Sequence, residues 1–194
     1  MRDEEEIAGM IAASALVVSG VVFSGGEPTM QGDALAYLAR ESHRMGLVVG
    51  VQTNGVYPRV LARLIDEGLV DRVALDIKAR WERYARLFGV DLTGQVKESL
   101  ALCRRAYLEG RLPEFEVVVT LFRGYEDEVA SIARETAGVP LVLQQGVHGE
   151  IKPLSFGELA AIAAGLGRPC RIRTRESGEQ VYEADRSGGT AGKR

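Results

Sequence analysis

Six short runs rich in Val, Ile and Leu, separated almost end to end by stretches of helical periodicity, constrain the fold of this chain more than any other feature. They cover 20–23, 47–52, 72–77, 116–121, 140–144 and 171–174. Strands this short and this apolar suit burial on both faces, and their alternation with helices is the pattern of βα units around a parallel sheet. The helices between them have readable ends. Asp3 caps a first helix whose opening turn holds Glu4, Glu5 and Glu6, with Ile7, Met10 and Ile11 as its apolar stripe. Asp33 is expected to cap a second, packed through Leu35, Leu38, Ala39 and Ser42 and stopped at Gly46. Pro58 opens a third, packed through Val60, Leu61, Leu64 and Ile65 and ended by Gly68. Further helices are predicted over 81–88, 95–108, 126–136 and 155–166, and Trp81, Tyr84, Ala85 and Phe88 recur at the spacing of one helix seam.

The 194 residues, 46% hydrophobic and 26% charged, suffice for one core, so a single domain over 1–183 is expected, followed by a polar, Gly-rich, disordered tail over 184–194. No apolar stretch is long enough to span a membrane, and a net charge of −3 argues against an electrostatic nucleic-acid binder. Arg171, Arg173 and Arg175 alternate along one run, as a solvated strand face or an anion-docking face would. Cys103 and Cys170 are the two cysteines, in no CxxC or CxxxCxxC spacing; two isolated thiols make no disulfide framework and suit a cytoplasmic location. Cys103 shares a helical stripe with Val96, Leu100 and Tyr107, which makes it a buried structural thiol.

In parallel βα folds ligands lie at the carboxyl ends of the strands. Here those ends read Ser24-Gly25-Gly26-Glu27-Pro28, Gln52-Thr53-Asn54-Gly55, Asp76-Ile77-Lys78, Thr120 with Arg123-Gly124, and Gln144-Gln145-Gly146, and they are expected to converge on one mouth. Two glycines let a backbone lie against a small ligand, Glu27 adds a carboxylate and Pro28 stiffens the exit, a combination suited to a cationic group such as an amine. Taken singly, Thr53-Asn54-Gly55 reads equally as a turn, and Asp76 with Lys78 as a structural ion pair on one strand face. His43 and His148 have no ligand partner at useful spacing, so no metal role is assigned, and no Walker loop, GxGxxG or Ser-His-Asp pattern is present.

The Gly25-Gly26-Glu27-Pro28-Thr29 turn with Gln31, then Thr53-Asn54-Gly55, Leu69-Val70-Asp71, Leu75-Asp76-Ile77-Lys78-Ala79, Gln144-Gln145-Gly146 and Arg171-Ile172-Arg173-Thr174-Arg175, resemble in order the radical S-adenosylmethionine (SAM) activating enzymes. The likeness is greatest to the type that activates anaerobic ribonucleoside-triphosphate reductase, followed by pyruvate formate-lyase activating enzyme, and it spans roughly residues 1–183. The resemblance implies an α/β fold, a partial (β/α)6 TIM-like barrel whose first strand and cluster loop would precede Met1. It implies SAM and a 4Fe-4S cluster as cofactors, and hydrogen abstraction from a partner's glycine by a 5'-deoxyadenosyl radical. A glycyl radical enzyme such as anaerobic ribonucleotide reductase and an electron donor protein are the implied partners. By position, Gly25, Gly26, Glu27 and Pro28 would hold the SAM amino group, Thr53, Asn54, Asp76 and Lys78 would line the ribose, carboxylate or cation region, and Gln145 would lie near the adenosyl end. The chain departs from the family in carrying no CxxxCxxC, in having Gln52 where Asp is frequent, and in having Val118 where Arg is frequent. Three thiolates are needed for a site-differentiated cluster, so the sequence as it stands is expected to be an inactive activase, or alternatively a cluster-free SAM-binding or partner-docking protein. An unpaired sheet edge at 20–23 is a further expectation, with a tendency to associate.

Overall fold

The structure, a computed structural model, describes residues 3–182; the tail expected over 184–194 lies outside them. The chain divides into two compact units between Val117 and Val118. In the first, α1 (Glu4–Ser14) precedes β1 (Gly20–Phe23), a 3-10 turn (Pro28–Gln31), α2 (Gly32–Arg44), β2 (Val48–Thr53), α3 (Pro58–Asp66) and β3 (Arg72–Asp76). A second 3-10 turn (Trp81–Arg83), α4 (Tyr84–Phe88) and α5 (Thr93–Leu108) lead to β4 (Glu114–Leu121), which runs through the division. The second unit continues with α6 (Glu128–Glu135), β5 (Leu141–Gln145), α7 (Phe156–Ala164), β6 (Cys170–Thr174) and β7 (Gly178–Tyr182). Strand order follows chain order, β1-β2-β3-β4 in one unit and β4-β5-β6-β7 in the other. The fold is α/β, of the partial (β/α)-barrel kind expected.

β1 pairs parallel with β2 from Gly20↔Val48 to Phe23↔Val51, and β2 with β3 from Gly50↔Arg72 to Thr53↔Leu75. In this register Phe23 is level with Val51 and Val73, and β2 and β3 run on past it to Thr53 and Asp76. Val49, Val51, Val73, Leu75, Leu61 and Leu64 fill the core beneath them, all essentially buried, and remove from water the surface that drives this unit to fold. In the second unit β5 pairs parallel with β6 over a core that includes Leu141, Val142, Leu143, Leu159 and Ile172.

The expected helices and strands are present, with four differences. The Pro28–Gln31 turn runs directly into α2, so Asp33 falls inside the first turn instead of capping it, and there its carboxylate meets Arg63 Nη1 at 2.6 Å. Residues 81–88 form a 3-10 turn and a short helix, not one continuous helix. α1 is capped by Asp3, whose side chain accepts from Glu6 N at 2.8 Å, but its apolar stripe buries no residue and Met10 is half exposed. The helix lies beside α2.

The fourth difference is β7, which no pattern in the sequence announces. It pairs antiparallel with β6 and is exposed along its length, so it carries no apolar run. Its Glu179 takes Arg171 at 2.8 Å and Arg173 at 2.6 Å, so one carboxylate pairs both arginines across the hairpin. Among the described residues β1 pairs only with β2, and nearby Leu16, Val17, Val22 and Val48 are exposed.

Ahead of β6, Arg168 Nη1 donates to Ala133 O at 2.9 Å and Thr136 O at 3.0 Å, and Nη2 donates to Val139 O. One guanidinium therefore gathers the carbonyls around and beyond the carboxyl end of α6, where the helix dipole also favours a cation. Arg168→Ala is expected to lower the unfolding free energy by about 1.5–3 kcal/mol, the range of a charge-assisted hydrogen bond. Arg168→Lys should recover only part of this, since an ammonium lacks the planar fork, and urea unfolding of the three proteins checks it.

Candidate functional site: a cleft at the ends of β1, β2 and β3

The loops leaving the first three strands enclose a cavity of about 270 Å³ lined by Ser24, Gly25, Gly26, Glu27, Gln52, Thr53, Asn54, Asp76 and Lys78. Gly25 and Gly26 both adopt positive φ, +86° and +55°, and a Cβ on either would project into open space with no protein atom within 4 Å. The turn presents a bare backbone edge to open space.

Glu27 has a role that the sequence did not reveal. Its Oε1 accepts from Thr29 N at 3.1 Å, from Thr53 Oγ1 at 2.7 Å and from Thr29 Oγ1, while Oε2 accepts from Asn54 N at 2.8 Å. A carboxylate offers about four lone-pair positions, so these donors nearly saturate it and tie the loop after β1 to the loop after β2. Thr53 Oγ1 in turn accepts from Gly55 N at 3.0 Å, and Asn54 Oδ1 accepts from Val56 N at 3.0 Å, closing a local turn. Pro28 opens the 3-10 turn that Glu27 caps.

Asp76 supplies the open acceptor. The residue is only 9% exposed, its Oδ2 is paired with Lys78 Nζ, and its Oδ1 is buried with no partner. Burial pushes its carboxyl above the ordinary range, the Lys78 ammonium pulls it back, and the charge of Glu27 adds a smaller push upward. Tyr84 OH accepts from Lys78 N at 3.1 Å and so holds the backbone beside the pair; burial raises its phenol well above the usual value, with Asp76 adding to the rise. Sequence spacing places Tyr84 only in an aromatic seam, which also exists: its ring lies 5.4 Å from Trp81 and 5.5 Å from Phe88.

Gln145 belongs to the second unit. There its Nε2 donates to Leu154 O at 2.8 Å and its Oε1 accepts from Arg175 N at 3.1 Å, so its amide fastens a loop and a hairpin. Gln144 Oε1 accepts from Arg173 Nη1 at 3.1 Å. His43 Nε2 bonds Asp71 Oδ2 at 2.9 Å, beneath the strands at the start of β3.

The thiols do not fit an iron-sulfur cluster. Cys103 is fully buried on α5, with burial pushing its thiol up to about 12, and Cys170 is buried at the start of β6 with its thiol also raised by burial. Cluster ligation needs closely placed thiolates, and among the described residues no three His, Cys, Asp or Glu side chains are grouped to hold a metal ion. The same residues contain no helix long and apolar enough to cross a membrane.

The first unit thus presents a glycine-lined, mixed-charge cleft at the ends of its parallel strands. The chain belongs to the Radical SAM superfamily, whose sequence profile matches residues 1–135. It is 36% identical over 95 residues to a protein of Methanocaldococcus jannaschii named "Putative glycyl-radical enzyme activating enzyme", a match covering 46% of this chain and 40% of that relative. Among solved structures, a domain of pyruvate-formate lyase-activating enzyme from Bacteroides vulgatus is similar with a TM-score of 0.61 at 16% identity, over 80% of this chain and 99% of that one. Archaeal TYW1 is similar with a TM-score of 0.65 at 16% identity, over 94% and 71%. The enzyme anSMEcpe, with bound AdoMet and a peptide, gives 0.59 at 17% identity over 86% and 51%. At these identities the likenesses show the fold.

The geometry has two measurable outcomes. In Glu27→Gln, either orientation of the amide sets its NH2 against a backbone N–H, of Thr29 or of Asn54. The variant should therefore lose about 1–3 kcal/mol of unfolding free energy, nearly as much as Glu27→Ala, in urea titrations.

For Asp76 the folded carboxyl titrates above the unfolded one, so in that window the native state binds more protons. Stability then falls as pH rises from about 4 through the folded value, and ionised Asp76 remains a cost above it. Asp76→Asn should lack this segment of the stability–pH curve, with wild type losing ground to the variant as pH rises. Parallel curves for the two proteins from pH 4 to 8 would contradict the assignment.

Proposed function

We propose that this chain is the SAM-holding part of a glycyl-radical-enzyme activase, and that it is not by itself a catalyst, because its own thiols do not supply the cluster. The observation that carries the SAM reading is Asp76, whose buried Oδ1 has no hydrogen-bond partner, in the lining of a cavity that the bare glycines Gly25 and Gly26 also line. A ligand with hydroxyl or ammonium donors at one end satisfies that oxygen, and the backbone edge at Gly25 and Gly26 admits a flexible amino-acid moiety without steric opposition. SAM, when bound, supplies a sulfonium whose cleavage generates the hydrogen-abstracting group used by this superfamily.

The residues of this chain divide the binding work. Lys78, with its side chain 40% exposed, neutralises Asp76 and offers further N–H donors to a ligand carboxylate. Thr53 and Asn54 shape the wall through their bonds to Glu27, and Gln52 adds an uncharged donor and acceptor. The branch of the family is supported by the M. jannaschii relative and its name. On that reading the partner is a glycyl radical enzyme such as anaerobic ribonucleotide reductase, served by an electron donor protein, in the cytoplasm.

Isothermal calorimetry of the anaerobically purified protein with SAM tests the site. Without an iron to chelate the amino acid, Kd is expected near ~1 mM, about 4 kcal/mol of binding. Asp76→Ala and Lys78→Ala should each weaken it beyond detection, and no heat from wild type at saturating SAM would remove the SAM reading. Reconstitution with iron and sulfide should leave no stoichiometric 4Fe-4S spectrum. A full cluster that survives Cys103→Ala and Cys170→Ala would overturn the account of the ligands.

A further inference from the structure

We propose that Ser99 is a positioning residue for the cleft, acting from α5 through the backbone of the Thr53-Asn54-Gly55 turn. The proposal rests on the reading of that cleft as the SAM site. α5 contributes no residue to the cavity wall, yet the Ser99 hydroxyl, fully buried, donates to Gly55 O at 2.6 Å. A serine inside a helix ordinarily turns its hydroxyl back to the carbonyl four residues earlier. Ser42 does so at Leu38 O, 2.7 Å, and Ser14 at Met10 O, 3.1 Å. Ser99 instead reaches 44 residues back along the chain, to the turn that carries two cavity residues.

The contact closes a relay. Gly55 O takes the Ser99 hydroxyl, Gly55 N donates to Thr53 Oγ1 at 3.0 Å, Thr53 Oγ1 donates to Glu27 Oε1 at 2.7 Å, and Asn54 N donates to Glu27 Oε2 at 2.8 Å. The turn is gripped from the cavity side by Glu27 and from the helix side by Ser99. Space enforces the same geometry: Gly55 sits at φ +76°, and a Cβ there would fall 2.6 Å from Leu75 Cδ1 and 3.3 Å from Ser99 Cβ. α5 also reaches the segment after Lys78, since Thr93 Oγ1 donates to Trp81 O at 3.4 Å and Lys97 Nζ stands 5.3 Å from the Trp81 ring centre. One helix thus braces the loops that carry Thr53 and Asn54 on one side and Asp76 and Lys78 on the other.

The test compares Ser99→Ala with Cys103→Ala, a truncation one turn along the same buried face, using calorimetry with SAM and amide hydrogen exchange of the unliganded protein. Ser99→Ala should raise Kd about fivefold, the equivalent of one hydrogen bond, and speed exchange of the Asn54 and Gly55 amides about tenfold. Cys103→Ala should lower the unfolding midpoint at least as much with both readouts unchanged. Ser99→Cys, which keeps the volume but replaces the hydroxyl with a poor donor, should fold and show the same faster exchange. Equal effects of Ser99→Ala and Cys103→Ala on Kd, or unaltered exchange at Asn54 and Gly55 in both Ser99 variants, would overturn the proposal. Should wild type bind no SAM, the reading of the cleft fails on that measurement alone, and amide exchange still decides the role of Ser99.

Discussion

The Glu27 carboxylate is the interaction on which the cleft depends. A turn made of two glycines has no side chains with which to hold itself, and both of its residues sit at positive φ. Its shape has to come from the next residue in the chain. Glu27 provides that by capping the 3-10 turn through Thr29 and by crossing to Thr53 and Asn54, so the first two strand ends are joined by one charged group. Four donors on one carboxylate offset the cost of drawing it partly out of water, and the same four leave it little capacity for a ligand.

Asp76 is the opposite case. Both are carboxylates in one cavity, but one is surrounded by donors and the other has Lys78 on one oxygen and nothing on the other. A buried, unsatisfied acceptor costs stability in the absence of a ligand, and a site that tolerates this has its affinity partly built in, because the ligand relieves the penalty on arrival. Lys78 keeps the cost bounded by cancelling the charge. Tyr84, holding Lys78 N, keeps the pair at the strand end instead of letting the loop carry it outward.

How legible all this was from sequence depended on how local the governing interactions are. The six predicted strands were readable because β-branched runs between helix caps are a short-range signal, and the Asp3 cap on α1 is local in the same way. β7 was not readable, since it is an exposed edge strand held by backbone pairing and by Glu179 with Arg171 and Arg173, none of which leaves a hydrophobic period. Asp33 misled because a preceding 3-10 turn had already begun the helical geometry. At the site, Gly25, Gly26, Asp76 and Lys78 were found from their places at strand ends. The partners that give them their geometry lie far off in sequence, Thr53 26 residues from Glu27 and Ser99 44 from Gly55. One trace was visible in advance: Ser99 interrupts the apolar stripe of Val96, Leu100 and Cys103, and a hydroxyl on a buried face must find a partner somewhere.

The network that shapes the cleft runs through carboxylates, hydroxyls and backbone amides, with no thiol in it. Cys103 lies on the same helix as Ser99 but is buried among apolar groups, and Cys170 belongs to the second unit. The geometry at Gly25, Thr53 and Asp76 is therefore set by the polypeptide before any metal is considered. The hydrogen-bonded loops that line the cleft and the two thiols of this chain are thus separate features, for neither Cys103 nor Cys170 lines the cavity. Loop order in this cleft is a property of the polypeptide alone, which amide exchange reads without reference to any metal.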